Sequence, residues 1–195
     1  MITNGAPADS AQPALDTSAK ARMWAALGPV EVDLFEVYSA GPDAPTEDEF
    51  AAYETELGFR LPDDFRDLSM SSVGGVYVCA REEVWPEGVE GYVGPAWTFL
   101  RGLMVFGISV EMPDWLDLRL RLREARERGP SNFAPVFKLI GSSEILGYDE
   151  GGTLMTDDGF GTLSRSNEQD FVQLYAREVA ALLERQRRMS ELLAL

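Results

Sequence analysis

The chain has 195 residues, 45% of them apolar and 26% charged, which is enough for one domain with a sizeable core and unlike a disordered, collagenous or disulfide-stapled protein. It contains no histidine, which excludes imidazole bases, Ser-His and Cys-His nucleophilic pairs and imidazole-held metals, and its single Cys79 can form no internal disulfide. The 33 acidic and 17 basic residues leave a net charge of −16, which repels nucleic acid and anionic membranes and favours a basic partner.

Residues 1–16 are rich in Ala, Pro, Ser and Thr without an apolar period and are expected to form a loose N-terminal arm. They lack the features of a secretion signal, and no apolar run is long enough to span a bilayer, so a reduced, cytoplasmic setting is expected. Residues 17–45 read as a short helix and a connecting segment. Thr17 or Ser18 caps the helix, Met23, Trp24 and Leu27 share a face, and Gly28-Pro29 stops it. From Val30 to Leu34 the residues alternate like a strand, but Phe35, Val37 and Tyr38 blur the period, and Gly41-Pro42 and Pro45 break the chain.

Thr46-Glu47-Asp48-Glu49 is a reciprocal capping box and opens a helix with Phe50, Tyr53 and Leu57 on one face and Gly58 as a left-handed exit. Pro62 suits the first turn of a second, shorter helix, Asp63 and Asp64 complement its positive end, and Phe65 and Leu68 continue the apolar face. Val76 to Cys79, Leu103 to Ile108 and Pro135 to Ile140 read as strands. Between the last two, Pro113 to Arg128 places leucines at period two, yet its Glu, Ala and Arg content and the Gly129-Pro130 stop favour a helix exposing Arg119, Arg123 and Arg126. Ile145 to Tyr148, Thr153 to Thr156 and Gly161 to Ser164 form an antiparallel meander whose turns are Asp149 to Gly152 and Asp157 to Gly159. Asn167 caps a final long helix carrying Phe171, Leu174, Tyr175, Val179, Leu182 and Leu183, with residues 186–195 as its extension or tail. The predicted class is a single α+β domain, with a mixed, largely antiparallel sheet, helices packed to one side and a long C-terminal helix.

Charge is unevenly spread: residues 31–99 carry 16 acids against 3 arginines. Within them Glu82, Glu83, Glu87 and Glu90 are interleaved with Trp85, Tyr92 and Trp97 in a Pro/Gly-rich loop, a composition suited to binding a basic protein surface. These seven residues are the candidate partner-binding set, with Trp85 as its anchor. A catalytic reading finds no support. Asp149/Glu150 and Asp157/Asp158 fall in turns where Asp and Gly serve the backbone, and nucleophile-elbow, phosphate-loop, dinucleotide and calcium-loop spacings are all missing. No catalytic residue, cofactor or metal ligand is therefore expected.

The run from Glu54 through Leu57-Gly58 to Leu61-Pro62-Asp63-Asp64-Phe65-Arg66, followed by Gly74-Gly75, resembles the signature of the SUKH superfamily, the Smi/Knr-type domain. The Phe106-Gly107-Ile108 strand, the meander ending near Ser164 and Phe171 opening a last helix follow the same order. The resemblance covers residues 46–185, with segments 82–97 and 113–129 as additions. It implies a non-enzymatic binding protein. Bacterial members are mostly immunity proteins that neutralise toxins, many of them nucleases, and fungal relatives regulate cell-wall synthesis and signalling. The expected partner is thus a basic cognate toxin, with no direct nucleic-acid or membrane contact. The alternative is a regulatory or scaffold protein of Smi/Knr type binding an endogenous protein, through the Arg119/Arg123/Arg126 face. Leu57, Gly58, Leu61, Pro62 and Phe65 are read as helix exit, turn and core.

Overall fold

Ser18 Oγ accepts the Ala21 amide at 3.2 Å and starts α1 (Ala19–Leu27), the first element of a computed structural model that describes residues 17–40, 43–86, 95–129 and 132–194. The expected N-terminal arm lies outside the described residues, as do the Gly41-Pro42 break and Pro130. In α1, Met23 and Leu27 are buried while Trp24 faces out. The strand that follows, β1 (Phe35–Ser39), begins where the alternation of Val30 to Leu34 breaks down, because residues 32–34 form a turn closed by Leu34 and Phe35 amides on the Glu31 carbonyl.

Thr46 builds the full capping box of α2 (Glu47–Leu57): its hydroxyl accepts the Glu49 amide at 3.3 Å and Glu49 Oε2 accepts the Thr46 amide at 2.8 Å. Gly58, at φ 93°, then turns the chain into a conformation that a side chain would strain. Glu54 Oε1 accepts the Leu61 amide at 2.8 Å and Arg66 Nε at 3.0 Å, and Arg66 Nη2 reaches Glu47 at 2.6 Å, which locks α3 (Asp63–Ser69) against α2. The Leu-Gly and Leu-Pro landmarks therefore form a corner closed by one buried ion pair.

The strands β2 (Val76–Ala80), β3 (Gly102–Val105), β4 (Phe133–Ile140), β5 (Ile145–Asp149), β6 (Leu154–Asp157) and β7 (Leu163–Arg165) join β1 in one seven-stranded sheet whose spatial order is the chain order. Among the described residues every strand pair is antiparallel and parallel pairing is confined to an isolated bridge between Gly107 and Asp117, so the sheet expected to be mixed and largely antiparallel is antiparallel throughout, with helices inserted between β1 and β2 and between β3 and β4. An added Cβ on Gly107 would lie 1.8 Å from the Gly74 carbonyl oxygen, so the β2 and β3 ends approach at a distance only glycine permits.

Register sorts the side chains. Val105, Phe137, Leu146 and Thr156 project from one face, and the Phe171 ring that opens α5 (Phe171–Leu193) sits edge-on to Phe137 at 6.2 Å. Helices α1 and α3 pack with α5 over this face, as expected for helices on one side. The exception is α4 (Leu118–Arg128), which packs along β4 and buries Leu118, Leu122 and Ala125. Phe133 to Phe137 are all buried, so both faces of β4 are covered at that end, the second by α4. The cap of α5 is Asp170 rather than Asn167: Asp170 Oδ1 takes the Val172 and Gln173 amides and its carboxylate pairs with Arg22 of α1 at 3.1 Å. The helix continues unbroken through residue 185 to Leu193, so residues 186–193 extend it, and β1 and α1 are integral to the sheet and helix layers.

Candidate functional site

Where β2 ends, the Arg81 amide donates to the Leu34 carbonyl at 2.9 Å and its Nε to the Val32 carbonyl at 3.0 Å, stapling the turn that follows to the segment preceding β1. Val84 and Trp85 amides close this turn on the Arg81 carbonyl at 3.2 and 2.9 Å. Glu82 and Glu83 ride on it and are exposed, while Arg81 reaches Glu36 of β1 at 3.8 Å. Two of the seven candidate residues thus stand on a fixed, solvent-facing turn beside a third carboxylate.

The aromatic members behave differently. Trp85 is 1% exposed, donates its indole N–H to the Thr98 carbonyl at 3.0 Å and meets Trp97 edge-on at 6.1 Å. Its expected role as a partner-facing anchor is corrected: an amphipathic ring with its polar atom satisfied internally belongs to the core, and it pins the far stem of the loop, the 3-10 turn Ala96–Phe99. Trp97 is half-buried, with the Arg188 guanidinium of α5 4.6 Å above its ring, so one ring face is already occupied from within. Glu87, Glu90 and Tyr92 lie outside the described residues.

An aromatic surface that sequence reasoning missed lies next to the turn. The register Tyr38↔Tyr77↔Met104 puts these three on one face, and Trp115, 45% exposed, sits edge-on to Tyr77 at 4.9 Å. Burial, reinforced by the Cys79 thiol beside it, pushes the Tyr77 phenol above its usual range, so this ring carries no charge of its own. Glu36 occupies the adjacent row, and exposed Glu111 receives the Tyr38 hydroxyl on its carbonyl at 3.4 Å. The signal was available. Tyr77 lies between Val76 and Val78, which face the core, so it falls on the other side of the sheet once Val76 to Cys79 is read as a strand.

The remaining candidates are spent on the fold. Asp149 Oδ1 accepts the amides of Gly151 and Thr153, Asp157 Oδ1 those of Gly159 and Gly161, and Asp158 Oδ1 those of Phe160 and Thr162, the turn chemistry expected of these carboxylates. Arg119 binds Asp117 at 3.0 Å and Arg126 donates to the Glu56 carbonyl at 2.6 Å, while Arg123 is exposed as expected, 3.7 Å from Glu56. A groove of about 360 Å³ between α5 and the sheet is floored by Phe137, Leu146 and Leu174, and Arg177 on its wall is held by Glu168 and Glu178.

No protein-family model, curated protein or solved structure matches the chain. Among the described residues no helix is long and apolar enough to cross a membrane. What the geometry offers is an acidic edge: Glu36, Glu82 and Glu83 with Arg81 among them, bordered by Tyr38, Tyr77 and Trp115. Such a surface attracts a basic protein through its field and supplies aromatic area for desolvated contact.

Proposed function

We propose that the chain is a non-catalytic binding protein of the SUKH, immunity-protein type, acting in the cytoplasm to neutralise a basic toxin by covering its functional surface. The observation that carries this reading is the exposed acidic turn at Glu82 and Glu83, fixed by Arg81 to the segment before β1 and set beside an aromatic face. Against a nuclease, such carboxylates stand in for the phosphates of its substrate, so the inhibitor and the nucleic acid compete for the same basic residues. The capping-box helix, the Leu57-Gly58 exit, the Arg66-locked corner and the closing long helix support the family reading by their order in the chain. The scaffold alternative would rely on Arg123, which stays exposed beside Glu56, while Arg119 and Arg126 are engaged by Asp117 and the Glu56 carbonyl.

The test is co-expression with the product of the adjacent gene. Rescue of growth from a toxic neighbour, lost when Glu82→Arg and Glu83→Arg are introduced together, supports the reading. A harmless neighbour that co-purifies equally well with the double variant contradicts it.

A further inference from the structure

We propose that the outer edge of β1 is the strand on which the basic partner docks, by adding an extended segment of its own to the sheet; this deepens the basic-partner reading above and rests on it. The sheet ends at β1, so one side of that strand has no neighbour among the described residues. Its hydrogen-bond phase is set by the Arg81 amide on the Leu34 carbonyl and the Ala40 amide on the Gly75 carbonyl, each at 2.9 Å. In an antiparallel ladder the bonded positions alternate, so Glu36 and Tyr38 face β2 with their backbone groups, whereas those of Val37 and Ser39 point away from the sheet. The Phe35 amide shares that outward phase and is already taken by the Glu31 carbonyl at 2.9 Å, which leaves Val37 and Ser39 as the open pair among the described residues.

Natural edges are guarded by proline, charged side chains or a bulge; β1 has neither proline nor bulge, its one charge is the acidic Glu36, which admits a basic strand, its register with β2 is unbroken, and Val37 is 44% exposed. Charge decides what fits there. Exposed Glu31, Asp33, Glu36 and Asp43 flank the edge from its own segment, and Glu82 and Glu83 approach from the stapled turn, with Arg81 as the opposing cation. The occupant is therefore a strand with Lys or Arg on the side of Glu36 and Tyr38 and apolar residues on the side of Val37. The opposite edge, β7, is three residues long and carries exposed Arg165, so it repels the same strand. A second copy of this chain would bring another charge of −16 to the same edge.

The experiment is a low-salt NMR titration of the isotope-labelled protein with a capped peptide of alternating lysine and valine, beside the peptide in which glutamate replaces lysine. The expected result is shifts and slowed exchange at the Val37 and Ser39 amides with the lysine peptide. Affinity should fall about tenfold or more in Val37→Pro, which removes an outward donor without touching the β1–β2 ladder, and stay within about twofold in Val37→Thr. The wild-type shift map reads the edge directly even if the proline variant fails to fold. Shifts confined to other residues overturn the edge assignment while leaving the basic-partner reading in place. Equal binding of the glutamate peptide, or no binding of the lysine peptide at millimolar concentration, overturns both. A dimer that Val37→Pro dissolves without peptide overturns the partner strand in favour of self-association.

Discussion

The Glu54 carboxylate orders the Leu61 turn through a backbone amide and neutralises Arg66 in a site where both side chains are almost fully buried. Removing one member strands the other charge out of water, so Arg66→Ala is expected to cost about 3–5 kcal/mol, far more than a surface pair, as read by urea denaturation. Arg60 paired with Asp63 at 2.7 Å is the control, since both side chains are exposed and Arg60→Ala should cost less than about 1 kcal/mol. At Trp85 the site assignment and the fold make opposite demands. A partner anchor, once truncated, would weaken binding and leave stability alone. The observed ring is buried and hydrogen-bonded to Thr98, so Trp85→Ala is expected to lower stability by about 3–5 kcal/mol, measured by thermal unfolding without any partner. Unchanged stability would place the ring at the surface. Its position was not legible because acidic neighbours and a Pro/Gly-rich context mark a loop, and a loop's sequence does not reveal which of its rings folds back under it.

At the scale of elements, local chemistry was the readable part. Thr46, Glu49 and Gly58 mark the ends of α2 through contacts three or four residues apart, and the turn carboxylates Asp149 and Asp157 bind amides two and four residues ahead. Long-range contacts were not readable: the Asp170 cap takes local amides, but its pairing with Arg22, 148 positions away, has no local signature. Likewise the two-residue spacing of leucines before Arg128 fits strand or helix until burial against β4 selects Leu118, Leu122 and Ala125. The capping box also sets a pH dependence. The Thr46 amide and then its hydroxyl hold Glu49 below its ordinary 4.5, and the Phe160 and Thr162 amides hold Asp158 below 3.8. Because the folded values lie below the unfolded ones, this stabilisation is complete above those values and is lost as pH falls through and below them. The unfolding temperature should therefore drop below about pH 4.5, and Thr46→Ala, costing about 1 kcal/mol at neutral pH, should flatten that drop. In the alkaline direction, burial raises the phenols of Tyr53, Tyr148 and Tyr175 above 10.0, so stability should decline once pH exceeds the unfolded tyrosine value.

For the molecule as a whole, the class was legible because hydrophobic period and turn residues separate helices from strands without knowledge of contacts. The neighbour order of the seven strands was not, since pairing β1 with β2 spans two helices and nothing local signals it. The same pairing brings Glu36 beside the Glu82 turn and turns a sequence-level excess of acid into an oriented edge. A net charge of −16 alone would accelerate encounter with any cation, whereas a localised edge makes the rate depend on particular carboxylates. The most direct measurement is the association rate of the basic partner against ionic strength, for the native chain and for the Glu82→Arg, Glu83→Arg double variant. The account predicts a rate that falls steeply with added salt in the native chain, and one about tenfold slower at low salt with a clearly shallower salt dependence in the variant. Superimposable salt profiles for the two proteins would contradict it.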